Sequence, residues 1–141
     1  MLTFLASLAM ASPVEIGEDL ARELLGAIQY DLRSNALIGN GNELAARWAN
    51  AGSDNATQPL QHFTLVGCTG GAARLRCRFE LLREGGVANY LGEEVPDRLA
   101  CRATFLRSPT DGHWSIPRLP PGPRGGHSRI TIRCRVAPSP S

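Results

Sequence analysis

The sequence predicts an α+β fold in which a long N-terminal helix and a short one pack on a four- to five-stranded antiparallel sheet. Three observations predict it. The chain has 141 residues, 43% hydrophobic and 20% charged, which suits one globular domain able to bury roughly two-thirds of its extended-state surface. Apolar residues recur at helical spacing between Ile16 and Leu32. Beyond Gln61 the apolar period falls to two, the mark of strands with one packed and one wet face.

The chain opens with MLTFLASLAMASP, whose short apolar run, Leu2 to Ala11, ends in Ala9-Met10-Ala11, an A-x-A cleavage signature. Residues 1–11 therefore read as an export signal, too short to span a bilayer, and no membrane anchor is expected. A periplasmic or secreted location follows. Ser12-Pro13-Val14-Glu15 has the form of a capping box with proline at the first helical position, so the long helix is expected to start there. Its stripe is Ile16, Leu20, Leu24, Ala27 and Ile28, widened by Leu25 and Leu32, while Glu18, Asp19, Glu23 and Asp31 fall largely on the other face. Gly39 to Asn42 reads as a turn, with Asn42 capping a short helix in which Leu44 and Trp48 share a face.

Four segments then alternate. Phe63, Leu65 and Val66 open a strand; Leu75, Cys77, Phe79 and Leu81 alternate with Arg74, Arg76 and Arg78. Leu99, Cys101, Ala103 and Phe105 alternate with Arg102 and Thr104, and Ile130, Ile132, Cys134 and Val136 with Arg133 and Arg135. His113, Trp114 and Ile116 make a short strand before IPRLPPGPRGG, an irregular loop of polyproline character. The single domain spans 12–136, and 137–141 reads as a frayed tail.

Four cysteines in a small exported chain imply two disulfides with three possible pairings. No pair has the C-x-x-C spacing of a redox site or the close ligand pairs of a zinc site. Cys77, Cys101 and Cys134 lie on apolar faces. Cys68 joins them only if Gly67 forms a bulge that corrects its parity. A hairpin clamp, Cys68–Cys77, with Cys101–Cys134 remaining, is the preferred pairing; a rival links Cys77 to Cys101.

All 15 positive residues are arginines and the formal net charge is only +2. The charge is segregated: residues 1–55 carry −4 and the remainder +6. Arg74, Arg76, Arg78, Arg102, Arg133 and Arg135 project from several strands and form a candidate basic sheet face. Small net charge and a lack of interleaved aromatics argue against nucleic acid as partner. The chain contains no G-x-S-x-G, H-E-x-x-H, Walker loop or G-x-G-x-x-G, and its three histidines have no shared metal spacing. No cofactor or metal is expected.

A long helix, a short helix and an antiparallel sheet ending in the hairpin LACRATFLRSPTDGHWSI, residues 99–116, resemble the cystatin-like group of folds, including its NTF2-like branch. The resemblance covers most of Ser12 to Val136 and implies a curved sheet wrapping the helix, with a small-molecule pocket between them that is sometimes catalytic. Secreted cystatins are also similar in having two disulfides formed in sequence order, but their Q-x-V-x-G inhibitory loop has no counterpart: in QHFTLVG the glycine lies six residues after Gln61. The favoured expectation is a non-enzymatic exported module that binds an apolar or amphipathic small ligand, or a partner protein. Tyr30, Asp31, His62 and Trp48 are its candidate pocket residues. An NTF2-like enzyme using the same pocket is one alternative, and a module binding anionic polymers through the arginine face is another.

Overall fold

The computed structural model describes residues 12–38, 43–51, 60–90, 92–120, 123 and 131–138. The expected export signal, the turn at 39–42, residues 121, 122 and 124–126 of the proline-rich loop and residues 139–141 of the expected tail lie outside the described residues. The elements are β1 (Pro13–Val14), α1 (Glu18–Ile38), α2 (Glu43–Asn50), β2 (Gln61–Gly70), β3 (Arg74–Arg83), β4 (Ala88–Tyr90), β5 (Glu93–Val95), β6 (Arg98–Arg107), β7 (Trp114–Ser115) and β8 (Arg133–Val136). Two helices on an antiparallel sheet make this an α+β fold. The main sheet runs β1-β2-β3-β6-β7, with β8 also paired to β6, and β4 and β5 form a separate hairpin. Among the described residues that is six strands and a hairpin rather than four or five. The strands beyond those expected, β1, β4 and β5, are two or three residues long, too short for alternation to show in sequence.

The N-terminus corrects one expectation. Pro13 and Val14 do not begin the helix; they pair with Thr69 and Cys68 as an edge strand, and Gly70 N donates to Ser12 O at 3.1 Å. An edge strand tolerates a proline because its missing N–H faces no partner. The helix starts five residues later than proline, at Glu18, where Glu18 and Asp19 place negative charge against the helix dipole.

The inner face of the sheet carries the core. Leu24, Ile28 and Leu32 of α1 and Ala45 and Trp48 of α2 are buried against Leu75, Phe79 and Leu81 of β3 and Leu99 and Phe105 of β6. Trp48 meets Phe63 edge-on, ring centroids 5.8 Å apart, a geometry that aromatic quadrupoles favour. The register of β2 on β3 slips between Leu65 and Gly67, with Val66 as the extra residue. This bulge moves Cys68 onto the inner face, directly opposite Cys77. The disulfides are Cys68–Cys77 and Cys101–Cys134, each joining residues that face one another on adjacent strands. The rival Cys77–Cys101 pairing is excluded, because Cys77 faces Ala103 and Cys101 faces Phe79.

Among the described residues two charged side chains, Arg83 and Asp31, are buried with the core. Arg83 continues the inward parity of Leu75, Phe79 and Leu81 and is 1% exposed. Its guanidinium donates to the carbonyls of Trp48 (3.1 Å), Val95 (3.2 Å) and Pro96 (3.2 Å) and lies 5.9 Å from the Trp48 ring centroid. Burial pulls its pKa down, and Asp97 opposes the shift. With Trp48 Nε1 donating to Asp97 O at 2.9 Å, this knot ties α2 and the end of the β4–β5 hairpin to the sheet. Asp31 is the second. The sequence pattern assigns it to the polar face, but it sits three residues after Ile28 and seven after Leu24, on the buried stripe. Ala137, expected to fray, is also buried, and its N–H donates to Arg98 O at 3.2 Å.

Candidate ligand-binding face

The face of the sheet opposite the helices is built by the residues of alternate parity, and register decides which of them become neighbours. Arg78 of β3 pairs with Gly67 of β2 on one side and Arg102 of β6 on the other; Arg102 in turn pairs with Arg133 of β8. Three arginines therefore stand side by side in a row that crosses the strands. The next row toward the β2–β3 turn is Thr69, Arg76 and Thr104, and the next row away from it is Thr64, Glu80, Ala100 and Arg135. Arg76, Arg78, Arg102, Arg133 and Arg135 are all exposed.

Like charges directly opposite one another destabilise a sheet, so the row carries a folding cost. Protection of sheet edges explains charge on β8, but β3 and β6 are interior strands, each paired on both sides. Among the described residues, Arg76, Arg78 and Arg102 engage no carboxylate. Arg133 donates from Nη1 to Ile132 O at 3.1 Å, which holds its guanidinium near the sheet. Gly67 contributes by having no side chain: a Cβ there would sit 3.9 Å from Arg78 Nη2, so the guanidinium lies over bare backbone.

Two grooves flank the row. One, of about 530 Å³, is bordered by Thr69, Thr104 and Thr131 with Arg76. The other, of about 640 Å³, is bordered by Val66, Ala100 and Pro138 with Glu80 and Arg135. Arg78, Arg102 and Arg133 line both grooves. Arg74, expected as part of the basic face, is exposed but lines neither.

The four candidate pocket residues do not converge. Trp48 is buried in the core on the inner side, whereas His62 has outer parity and pairs across the strands with Leu82. His62 Nε2 lies 2.8 Å from Glu84 Oε1, and both side chains are about half exposed. Tyr30 is 70% exposed. Asp31 is buried against Arg118, with Asp31 Oδ1 3.6 Å from Arg118 Nη2 and Oδ2 without a hydrogen-bond partner. Burial pushes the Asp31 carboxyl above the usual carboxylate range, and the neighbouring guanidinium opposes the shift. The physical reason for the divergence is packing: Leu24, Ile28, Trp48 and Phe79 occupy the helix–sheet space that such a pocket would need.

His113 is likewise separate, its Nδ1 3.4 Å from Glu23 Oε1, while Trp114 N donates to the same oxygen at 2.9 Å. This contact pins α1 to β7. Among the described residues no group of three or more His, Cys, Asp or Glu side chains is placed to hold a metal. Sequence parity identified the arginines of the face but missed their lateral order and the flanking threonines. Comparison with known proteins finds no matching family, curated protein or solved structure.

Proposed function

We propose that this protein is an exported, non-enzymatic binding module that captures an anionic polymer on the open face of its sheet. The observation that carries the reading is the Arg78–Arg102–Arg133 row, two of whose members stand on interior strands, with a groove on each side. Clustered like charge raises the local concentration of counter-ions and steers a polyanion toward the face. Export rests on the A-x-A run before residue 12 and on two disulfides, which persist in oxidising compartments. Among the described residues no helix is long and apolar enough to cross a membrane. The order of elements and the helix on the inner face of the meander support placing the fold in the cystatin-like group. A catalytic pocket between helix and sheet is the weaker reading, since core side chains fill that space and Tyr30 and His62 point elsewhere.

The test is retention on immobilised carboxylated, sulfated and phosphorylated polymers as salt is raised. Binding that weakens steeply with salt, and that Arg78→Glu with Arg102→Glu abolishes while both disulfides still form, is the expected result. Salt-independent retention, or retention unchanged in the double variant, overturns the reading. Export is checked separately by intact mass from fractionated cells. Loss of residues 1–11 with thiol alkylation only after reduction supports it, and a full-length chain with four reactive thiols defeats it.

A further inference from the structure

Resting on that reading, we infer that the polymer is a polyuronate, a glycan with one carboxylate per sugar, lying across the strands along Arg78, Arg102 and Arg133. The orientation comes from the grooves. A chain running along β3 would use Arg74, Arg76 and Arg78, spaced about 6.7 Å apart by the two-residue repeat, and would then meet Glu80 on the same face. Arg74 lines neither groove, whereas the three arginines of the cross-strand row line both. The row is thus the common wall of the two grooves, and no acid interrupts it.

The chemistry comes from spacing and from the flanks. Neighbouring strands stand about 4.8 Å apart, close to the advance of a glycan chain per sugar. Since successive sugars of an extended chain turn their carboxylates to opposite sides, the two carboxylates of a trisaccharide that share a side match Arg78 and Arg133, two strands apart, with Arg102 between them. Linear polyphosphate is more densely charged than that. Single-stranded nucleic acid gains much of its affinity by stacking bases on aromatic rings, and the strand positions around the row hold Gly67, Thr69, Thr104, Thr64, Glu80 and Ala100 instead. Threonine hydroxyls on one side and the Glu80 carboxylate on the other suit the hydroxyl groups of a sugar. Glu80 also repels an anion that strays from the row, so it acts as a specificity determinant, favouring the sparse charge of a uronate over a dense one. A bilayer surface is plane and would not fill two grooves.

The experiment is calorimetric titration of the full chain with uronate oligomers of one to six sugars, beside polyphosphate of matched charge, at constant low ionic strength. Affinity is expected to climb to about three sugars and then level off. Arg102→Ala and Arg78→Ala should each lower it about two- to fivefold, as for exposed ion pairs, while Arg74→Ala leaves it unchanged. Glu80→Gln should narrow the preference for uronate over polyphosphate. Polyphosphate binding as tightly as uronate, or Arg74→Ala costing as much as Arg102→Ala, overturns the polyuronate assignment and leaves the anion-binding reading standing. Failure of every polyanion to bind removes both.

Discussion

Replacing Arg83 with methionine keeps most of the side-chain volume and removes the guanidinium that ties three carbonyls together. Two of those acceptors, Trp48 O and Val95 O, meet it through buried hydrogen bonds, and the third, Pro96 O, through a part-buried one. A buried acceptor left without a donor costs about 1–3 kcal/mol, so the two buried carbonyls together set a loss of about 2–6 kcal/mol. The arginine contact with the Trp48 ring at 5.9 Å adds to it. Against this, methionine does not carry the desolvation penalty that pulls down the pKa of Arg83. A net destabilisation of about 3 kcal/mol is expected, read from urea unfolding with both disulfides intact. Because the knot joins α2 to the β4–β5 hairpin, Trp48 fluorescence should report the loss in the same transition. A methionine variant within 1 kcal/mol of the parent, or more stable than it, would show that desolvation outweighs the three hydrogen bonds and refute the reasoning.

Three further outcomes are expected. Removing Cys101–Cys134, which closes a separation of 33 residues, should cost about 4 kcal/mol, and removing Cys68–Cys77, with a separation of 9, about 3 kcal/mol; paired Cys→Ala variants in urea test whether the order holds. Gly70 has φ +140°, and a Cβ there would run into the carbonyl oxygen of Arg74, so Gly70→Ala should lose about 3 kcal/mol or more and slow closure of the hairpin disulfide. Asp31 holds its proton more tightly in the folded state than in the unfolded chain. Its ionisation therefore weakens the fold at neutral pH, and this penalty is relieved as pH falls through the raised folded pKa toward the ordinary aspartate range. Asp31→Asn should accordingly be more stable than the parent near pH 7, with the gap shrinking on acidification; a gap that does not change with pH would rule out the assignment.

The legible part of this protein is the part that short-range periodicity encodes. Spacing of 3.6 placed Leu24, Ile28 and Leu32 on the buried stripe, and spacing of two placed Leu75, Cys77, Phe79 and Leu81 inward and Arg76 and Arg78 outward. Parity also put all four cysteines on the inner face, once a bulge near Gly67 was allowed for, but it left the Cys77–Cys101 pairing open until the register of β3 on β6 excluded it. Two buried charges were present in the same patterns, since Asp31 and Arg83 occupy core positions of their repeats. Their polar chemistry masked it, because a pattern cannot tell whether a carbonyl or a guanidinium waits inside to receive them.

By itself, then, the amino-acid sequence determined the α+β class, the inward and outward faces of the long strands and a preferred pairing of the cysteines, which the strand register then settled against its rival. All three follow from local geometry, the turn of a helix and the pleat of a strand. Tertiary structure alone decided that β8 returns to lie beside β6, which brings Arg133 next to Arg102 across a sequence separation that no period spans. It also decided that the helix–sheet space is filled and that the open grooves lie on the other face. Alternation says which side of a sheet a side chain takes, but strand order sets its lateral neighbours, and strand order is settled by long-range packing.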